Sequence, residues 1–310
     1  MTDSKPLSPF SPLDPGVSVS LLGTGPMGAP IARNIIGAGV PLTVWNRSLH
    51  KAQAIQGGTV ALRPADAAAD VVLTVLPDLP QVEALLEGDD GLLAGWARAG
   101  VVEPVLVIHG TVSPTEVAAF AAHCKSHFGV TVIDAPLSGG TIGAEQGRLS
   151  IMAGGPASVV QRLTPLFELY SSTVLWFGEA GAGATVKACN QIVVAATVTA
   201  LSESMALAKA SGLDLEKVQA ILKGGLANSE VLQQKGARWI AGDFHGGGSA
   251  KNQLKDLRFV TEAAADAGLS LPLATTLRTE FQTMVTEGLG DLDHTGIYLS
   301  ITNNRVKDPS

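Results

Sequence analysis

Lys187, Asn190 and Gln191 stand at i, i+3 and i+4, so they share one face of any helix that contains them. Ala184 to Ala210 holds no proline or glycine and reads as about seven turns of very apolar helix, with Ile192, Val193, Val194, Ala195, Ala196, Val198 and Leu201 in sequence. A lysine in the second turn of such a helix is a costly choice. Desolvation and the helix's positive end would lower its pKa toward a range useful for moving a proton. The plainer alternative is a lysine that extends its head to solvent at a domain boundary. A second stretch, Asp134-Ala-Pro-Leu-Ser138-Gly139-Gly140-Thr-Ile-Gly143, ends a strand at a proline and opens a loop with exposed N–H groups and one hydroxyl. That composition suits a nest for a carboxylate, and it equally suits a structural glycine-rich loop. Lys251 and Lys255 lie four apart on one helical face, which by itself reads as solvated surface.

A third stretch runs Val17-Ser-Val-Ser-Leu-Leu-Gly23-Thr-Gly25-Pro26-Met27-Gly28. It reads as strand, tight turn and helix start, with a second strand at 41–45. Glycines at this spacing let the backbone approach a pyrophosphate, which then sits on the free N–H groups of the helix N-terminus. A purely structural turn is the competing reading. The second strand ends Val44-Trp45-Asn46-Arg47-Ser48, without the Asp or Glu that accepts from a ribose 2′-hydroxyl. Asn46 does not repel a 2′-phosphate, Arg47 can pair with one, and Ser48 and Lys51 can add donors. NADP is therefore expected over NAD. The alternative is that Asn46 merely caps a helix and Arg47 is surface.

These groups need a frame. The chain has 310 residues, 46% hydrophobic and 16% charged, which describes a globular protein able to build two domains. A net charge of −7 argues against a nucleic-acid partner. Cys124 and Cys189 have no metal-ligand spacing, read as small core residues and fit a reducing compartment, so no metal and a cytoplasmic location are expected. No apolar run was expected to reach the ~18 residues of a membrane span. Residues 1–16, with prolines at 6, 9, 12 and 15, read as a flexible N-terminal arm rather than a signal peptide.

From 17 to 179 strands near 17–22, 42–46, 71–75, 105–109, 130–134, 149–153 and 173–177 alternate with helices near 26–38, 48–56, 79–87, 114–127 and 156–168. This is an α/β, Rossmann-type, doubly wound parallel sheet. The strand ends Leu76-Pro77-Asp78 and His109-Gly-Thr111 should border the cofactor crevice. From 180 to 305 the texture is all-α, with helices near 184–210, 214–223, 229–241, 250–267, 272–287 and 293–301. The first of these is so apolar that a partner subunit is expected to cover it.

Four separated motifs, in order, resemble the β-hydroxyacid dehydrogenases, the relatives of 3-hydroxyisobutyrate dehydrogenase, tartronate semialdehyde reductase and 6-phosphogluconate dehydrogenase. They are Gly23-Thr-Gly25-Pro-Met-Gly28, Asp134 through Met152, Gly183-Ala-Thr-Val-Lys187-Ala-Cys-Asn190-Gln191, and Lys255-Asp256-Leu257. The resemblance covers about 17–302. It implies an NADP-binding Rossmann domain and a helical substrate and dimerisation domain. It also implies that the enzyme interconverts a small 3-hydroxy acid and its semialdehyde or keto partner. Lys187 would be the general acid and base, and Asn190 would orient the substrate. Ser138, Gly139 and Gly140 would hold the carboxylate, with Gln191 beside them. Gly23, Gly25, Pro26, Met27, Gly28, Asn46, Arg47, Ser48, Leu76, Pro77, Thr111 and Lys255 would line the cofactor. A homodimer through the helical domain is the implied partner. Two stretches depart from the pattern. The usual Asp-x-Ser-Thr reads Ile108-His109-Gly110-Thr111, and the usual Phe-x-Pro-x-Phe region reads Phe244-His-Gly-Gly-Gly-Ser249, which would widen the pocket or leave it floppy. An imine reductase on the same fold is the alternative activity, and a non-catalytic NADP-binding protein the alternative class.

Overall fold

The structure is a computed structural model, and it describes residues 16–303. Nearly all of the expected arm at 1–16 lies outside the described residues. The strands are β1 Val19–Leu22, β2 Leu42–Trp45, β3 Thr59–Val60, β4 Val71–Thr74, β5 Val105–Ile108, β6 Thr131–Asp134, β7 Leu137–Ser138, β8 Leu149–Gly154 and β9 Ser171–Gly178. The helices of the same region are α1 Gly28–Gly37, α2 Leu49–Gln53, α3 Leu79–Glu83, α4 Leu92–Ala99, α5 Pro114–Phe128, α6 Gly140–Glu145 and α7 Ala157–Phe167. Then follow α8 Ala182–Ala210, α9 Leu215–Gly224, α10 Glu230–Ala241, α11 Ala250–Asp266, α12 Pro272–Met284 and α13 Ile297–Asn303. The chain divides into two compact units between Ala184 and Thr185, inside the first turn of α8.

In the first unit the sheet runs β3-β2-β1-β4-β5-β6-β8-β7, with β9 beside β8. The first six strands are parallel, and β8 then enters antiparallel to β6 and β7. This is the doubly wound order in which ligands bind beyond the strands' C-terminal ends, where β1 and β4 diverge. Strand alternation feeds two cores. Val71 and Leu73 join Ile31, Ile35, Leu163 and Phe167 on one face, while Val72 joins Leu106, Val117, Phe120 and Cys124 on the other. The local signals are plain at α5: Ser113 accepts from the Glu116 N–H, Pro114 opens the helix, and Gly129 closes it at φ +71°.

The second unit is helical and wraps α8. Ala195 and Val198 pack with Leu257 of α11, Leu277 and Phe281 of α12 and Ile297 of α13. Leu201 and Met205 pack with Leu232 and Trp239 of α10 and with Phe244 and Tyr298. Several expectations change here. By length and composition α8 does qualify as a membrane span, contrary to the sequence reading, and 44% of that window is buried inside the fold. Cys189, Val193 and Leu207 point outward on one stripe of α8, which the chain itself leaves uncovered. Cys189 is therefore exposed rather than a core residue, while Cys124 is buried as expected. The glycine run at 246–248 is held at its middle residue. Gly247 has φ +78°, and a Cβ there would lie 2.1 Å from Asp293 Oδ2. Asp293 is fully buried and accepts from Lys235 Nζ at 2.5 Å, the Gly248 N–H at 3.0 Å and the Thr295 N–H at 3.0 Å. Gly247 is a glycine because the loop folds tightly over a buried ion pair there.

Candidate active site

In the first unit the dinucleotide turn follows from close approach. Gly23 has φ +104°, and a Cβ on it would meet the Val75 carbonyl at 2.5 Å. A Cβ on Gly28 would meet the Gly23 carbonyl at 1.9 Å, so α1 starts directly beneath the strand end. Gly25 has nothing within 4 Å of where its Cβ would be, which leaves open space over the turn. Pro26 and Met27 lead into α1, whose N-terminus has no side-chain cap and no acid in its first turn. Asn46 accepts from the Thr24 N–H at 3.1 Å and donates to the Ser48 carbonyl at 3.1 Å. It thus ties β2 to the glycine turn and does not cap α2, whose N-cap is Ser48. Arg47 is exposed beside it. Open space, an uncapped helix end and a nearby guanidinium fit a dinucleotide.

Leu76 and Pro77 follow β4, and Thr111 follows β5, so these residues share the sheet edge with Gly23. At Gly110 the departure at 108–111 has a steric cause. A Cβ on Gly110 would lie 2.2 Å from the Leu76 carbonyl, so that position has no room for a side chain, and Ile108 is fully buried, where a carboxylate would be costly.

The Ser138–Gly143 stretch is not the open loop expected. Leu137–Ser138 pair with β8, and Gly140 begins the short helix α6. Gly139 at φ +124° and Gly140 at φ +65° make the switch that side chains resist. Asn34 of α1 donates to the Ala144 carbonyl at 2.8 Å and so ties α6 to the dinucleotide helix.

Asp134, quoted in the motif without a role, turns out to hold the start of α8. Its fully buried carboxylate accepts from the Gly181 N–H at 2.8 Å and the Ala184 N–H at 2.7 Å. A Cβ on Gly154 would meet that carboxylate at 2.5 Å, and one on Gly183 would meet the Met152 carbonyl at 2.2 Å and the carboxylate at 2.9 Å. Burial pushes the carboxyl up to about 6, against the pull of those N–H groups.

In the second unit α8 and α11 bring four sequence-selected side chains, Lys187, Asn190, Gln191 and Lys255, together around Asp256. Lys187, Gln191 and Asp256 are buried, and Asn190 is half-buried. Asn190 Nδ2 donates to Gln191 Oε1 at 3.0 Å, and Gln191 Nε2 donates to Asp256 Oδ2 at 2.6 Å. Lys255 Nζ lies 3.4 Å from Asp256 Oδ1 and 5.3 Å from the Phe259 ring centre. Lys255, read as a cofactor contact, thus belongs to the second unit and is ion-paired there. Burial lowers the pKa of Lys187, Asp256 pulls it back up, and Lys255 lowers it again. Burial also raises Asp256, against Lys255, Lys187 and Gln191. The lowering at Lys187 therefore comes from burial and a like charge; the α8 end invoked from sequence is already occupied by Asp134. Asp256 was the missed member, and its signal was an acid next to Lys255 in a helix with an apolar face. Among the described residues no cluster of three or more His, Cys, Asp or Glu side chains could hold a metal.

A doubly wound sheet with an open glycine turn, followed by a helical unit, is the architecture of an NAD(P)-dependent oxidoreductase, and the relatives bear this out. Residues 18–178 match the NAD binding domain of 6-phosphogluconate dehydrogenase, and residues 181–301 match the NAD-binding domain of NADP-dependent 3-hydroxyisobutyrate dehydrogenase. The 2-hydroxy-3-oxopropionate reductase of Escherichia coli (strain K12) is 34% identical over 284 residues, 91% of this chain and 96% of that protein. A 3-hydroxyisobutyrate dehydrogenase structure from Salmonella typhimurium superposes with a TM-score of 0.81 at 25% identity, covering 92% of this chain and 99% of that one. An imine reductase from Myxococcus stipitatus shares the fold at 17% identity and a TM-score of 0.61, covering 91% and 99%. The chain belongs to the β-hydroxyacid dehydrogenase family.

Proposed function

We propose that the protein is an NADPH-dependent reductase of small semialdehyde or keto acids, also able to run the reverse oxidation of the 3-hydroxy acid, with Lys187 as the proton donor. The observation that carries this reading is the burial of Lys187 beside Asp256 on a helix face shared with Asn190 and Gln191. A nicotinamide cofactor supplies the hydride. Lys187 Nζ gives its proton to the carbonyl oxygen as that oxygen gains negative charge, and takes one back in the reverse direction. A lowered pKa suits the lysine to both tasks. Asn190 orients the substrate oxygen, with Gln191 and Asp256 holding its amide in place. Ser138 and the Gly139–Gly140 N–H groups hold the carboxylate, and the 34% identical relative is named for a reductase of such an acid.

NADP is favoured over NAD by the exposed Arg47 after a strand that ends in Asn46 rather than an acid. The outward stripe of Val193 and Leu207 on α8 supports a homodimer through that helix. Two free cysteines support a cytoplasmic setting. The test is oxidation of NADPH against tartronate, succinic and methylmalonate semialdehydes, glyoxylate and one cyclic imine. Turnover of an acid aldehyde is expected. Turnover of the imine alone overturns the carboxylate and proton assignments together.

A further inference from the structure

We propose that His109 is a positioning residue for the substrate loop, clamping Ala135, the residue from which the chain departs toward Ser138–Gly140. The inference rests on the reading of that loop as the carboxylate holder. His109 is the first residue after β5 and is 4% exposed. Its own N–H donates to the Thr74 carbonyl at 2.9 Å, which fixes it to β4. Ala135 is then held at both of its backbone polar groups. Its N–H donates to the Ile108 carbonyl at 2.8 Å, and its carbonyl accepts from His109 Nδ1 at 2.6 Å. Pro136 follows and has no N–H, so Ala135 is the last residue bonded to β5 before the chain turns to the antiparallel pair Leu137–Ser138 with β8.

The carbonyl can only accept, so the proton sits on Nδ1, and Nε2 accepts from the Tyr170 hydroxyl at 3.0 Å. Tyr170 is fully buried, and its ring and that of Phe167 meet the imidazole edge-on, with centroids 5.7 and 5.9 Å away. The ring is thus held in one tautomer and one orientation by three neighbours. Burial pushes its pKa down to about 4, so the ring stays neutral near pH 7 and Nε2 stays free to accept from the Tyr170 hydroxyl while Nδ1–H faces the carbonyl. A side chain needed only to fill this space would not require a donor at Nδ1.

The experiment is steady-state kinetics on the full chain with NADPH and its best semialdehyde, for the wild type, His109→Leu, His109→Asn, Tyr170→Phe and Ser138→Ala. The Asn amide can place an N–H close to the Nδ1 position, whereas Leu cannot. His109→Leu is expected to raise the substrate KM about tenfold and to move the NADPH KM less than about twofold. His109→Asn is expected to stay within about threefold of the wild type for both, and Tyr170→Phe is expected to lower the melting temperature with a smaller change in KM. Equal damage in the Leu and Asn variants, or parallel shifts of both KM values, overturns the clamp. If Ser138→Ala leaves the substrate KM unmoved, the carboxylate reading fails by itself. The clamp is then decided by amide hydrogen exchange of residues 135–140, where His109→Leu should exchange about tenfold faster than both the wild type and His109→Asn. Equal exchange in all three overturns it, and should His109→Leu fail to fold, the comparison of His109→Asn with Tyr170→Phe still separates donor from packing.

Discussion

His109 makes a thermodynamic demand that holds whatever the substrate is. Its pKa in the fold is about 4, below the ordinary histidine value of 6.5, because burial disfavours the charged ring. A depressed pKa means that the unfolded chain binds the proton first. The neutral ring's contribution is complete above pH 6.5 and is withdrawn as the pH falls toward 4. Between pH 7.5 and pH 5 linkage removes about 2 kcal/mol of folding stability from a group with these two values. His294, also pushed down to about 4 by burial, and Asp134, raised to about 6, add their own dependences, so the wild-type curve alone cannot isolate the residue. The comparison with His109→Asn can. Asn keeps a donor for the Ala135 carbonyl and removes the titration, but leaves the Tyr170 hydroxyl unpaired at a cost of about 1–3 kcal/mol. Urea unfolding followed by tryptophan fluorescence at the two pH values should show the variant less stable at pH 7.5, with the gap narrowed by about 2 kcal/mol at pH 5. A gap that does not change with pH would refute the assignment of a buried neutral imidazole.

Four further outcomes are expected. Lys187→Met should lower kcat by about two to four orders of magnitude and leave NADPH affinity within about twofold, as read by single-turnover kinetics and fluorescence titration. Arg47→Asp should move the NADP-to-NAD ratio of kcat/KM at least tenfold toward NAD, and an unchanged ratio places 2′-phosphate recognition elsewhere. Gly110→Ser, which restores the family's hydroxyl, should destabilise the chain by roughly 1–3 kcal/mol, because its Cβ would lie 2.2 Å from the Leu76 carbonyl. In the 246–248 loop, Gly247→Ala should lower the melting temperature by several degrees, since its Cβ would lie 2.1 Å from Asp293 Oδ2. Gly248→Ala, with nothing within 4 Å, should leave it nearly unchanged. Equal effects at the two glycines would refute the tight fold over Asp293.

What could be read from sequence was set by local sterics. The Gly23-x-Gly25-x-x-Gly28 turn, the all-buried strands β4 and β5, and the proline- and glycine-bounded helix α5 each follow from residues within one or two turns of each other. Long-range partners were not legible. Nothing near Asp134 announces that it bonds N–H groups 47 and 50 residues further on. The glycines at 246–248 look loose by composition, yet Gly247 is required by Asp293, which is distant in sequence. Cys189 sits in an apolar run but falls on the outward stripe of α8, because a nearly uniform apolar helix has no polar face to mark its orientation.

Two helix N-termini in the chain have opposite fates, and the difference explains where an anion can bind. Both α1 and α8 follow a glycine-rich stretch, and at both the chain comes from the sheet into a helix N-terminus, where N–H groups lack intrahelical partners and the dipole gives a partial positive charge. At α8 the protein supplies its own anion: Asp134 occupies the end and is boxed in by Gly154 and Gly183. At α1 no side chain caps the end, no acid stands in the first turn, and Gly25 leaves open space above it. A phosphate can therefore settle on α1 but would have to displace a buried carboxylate to reach α8. The glycines serve both ends by the same absence of a Cβ, in one case to admit a ligand and in the other to admit a side chain from the chain itself. That is why a glycine motif alone does not mark a binding site, and why the residue that fills the space, or its lack, decides the matter.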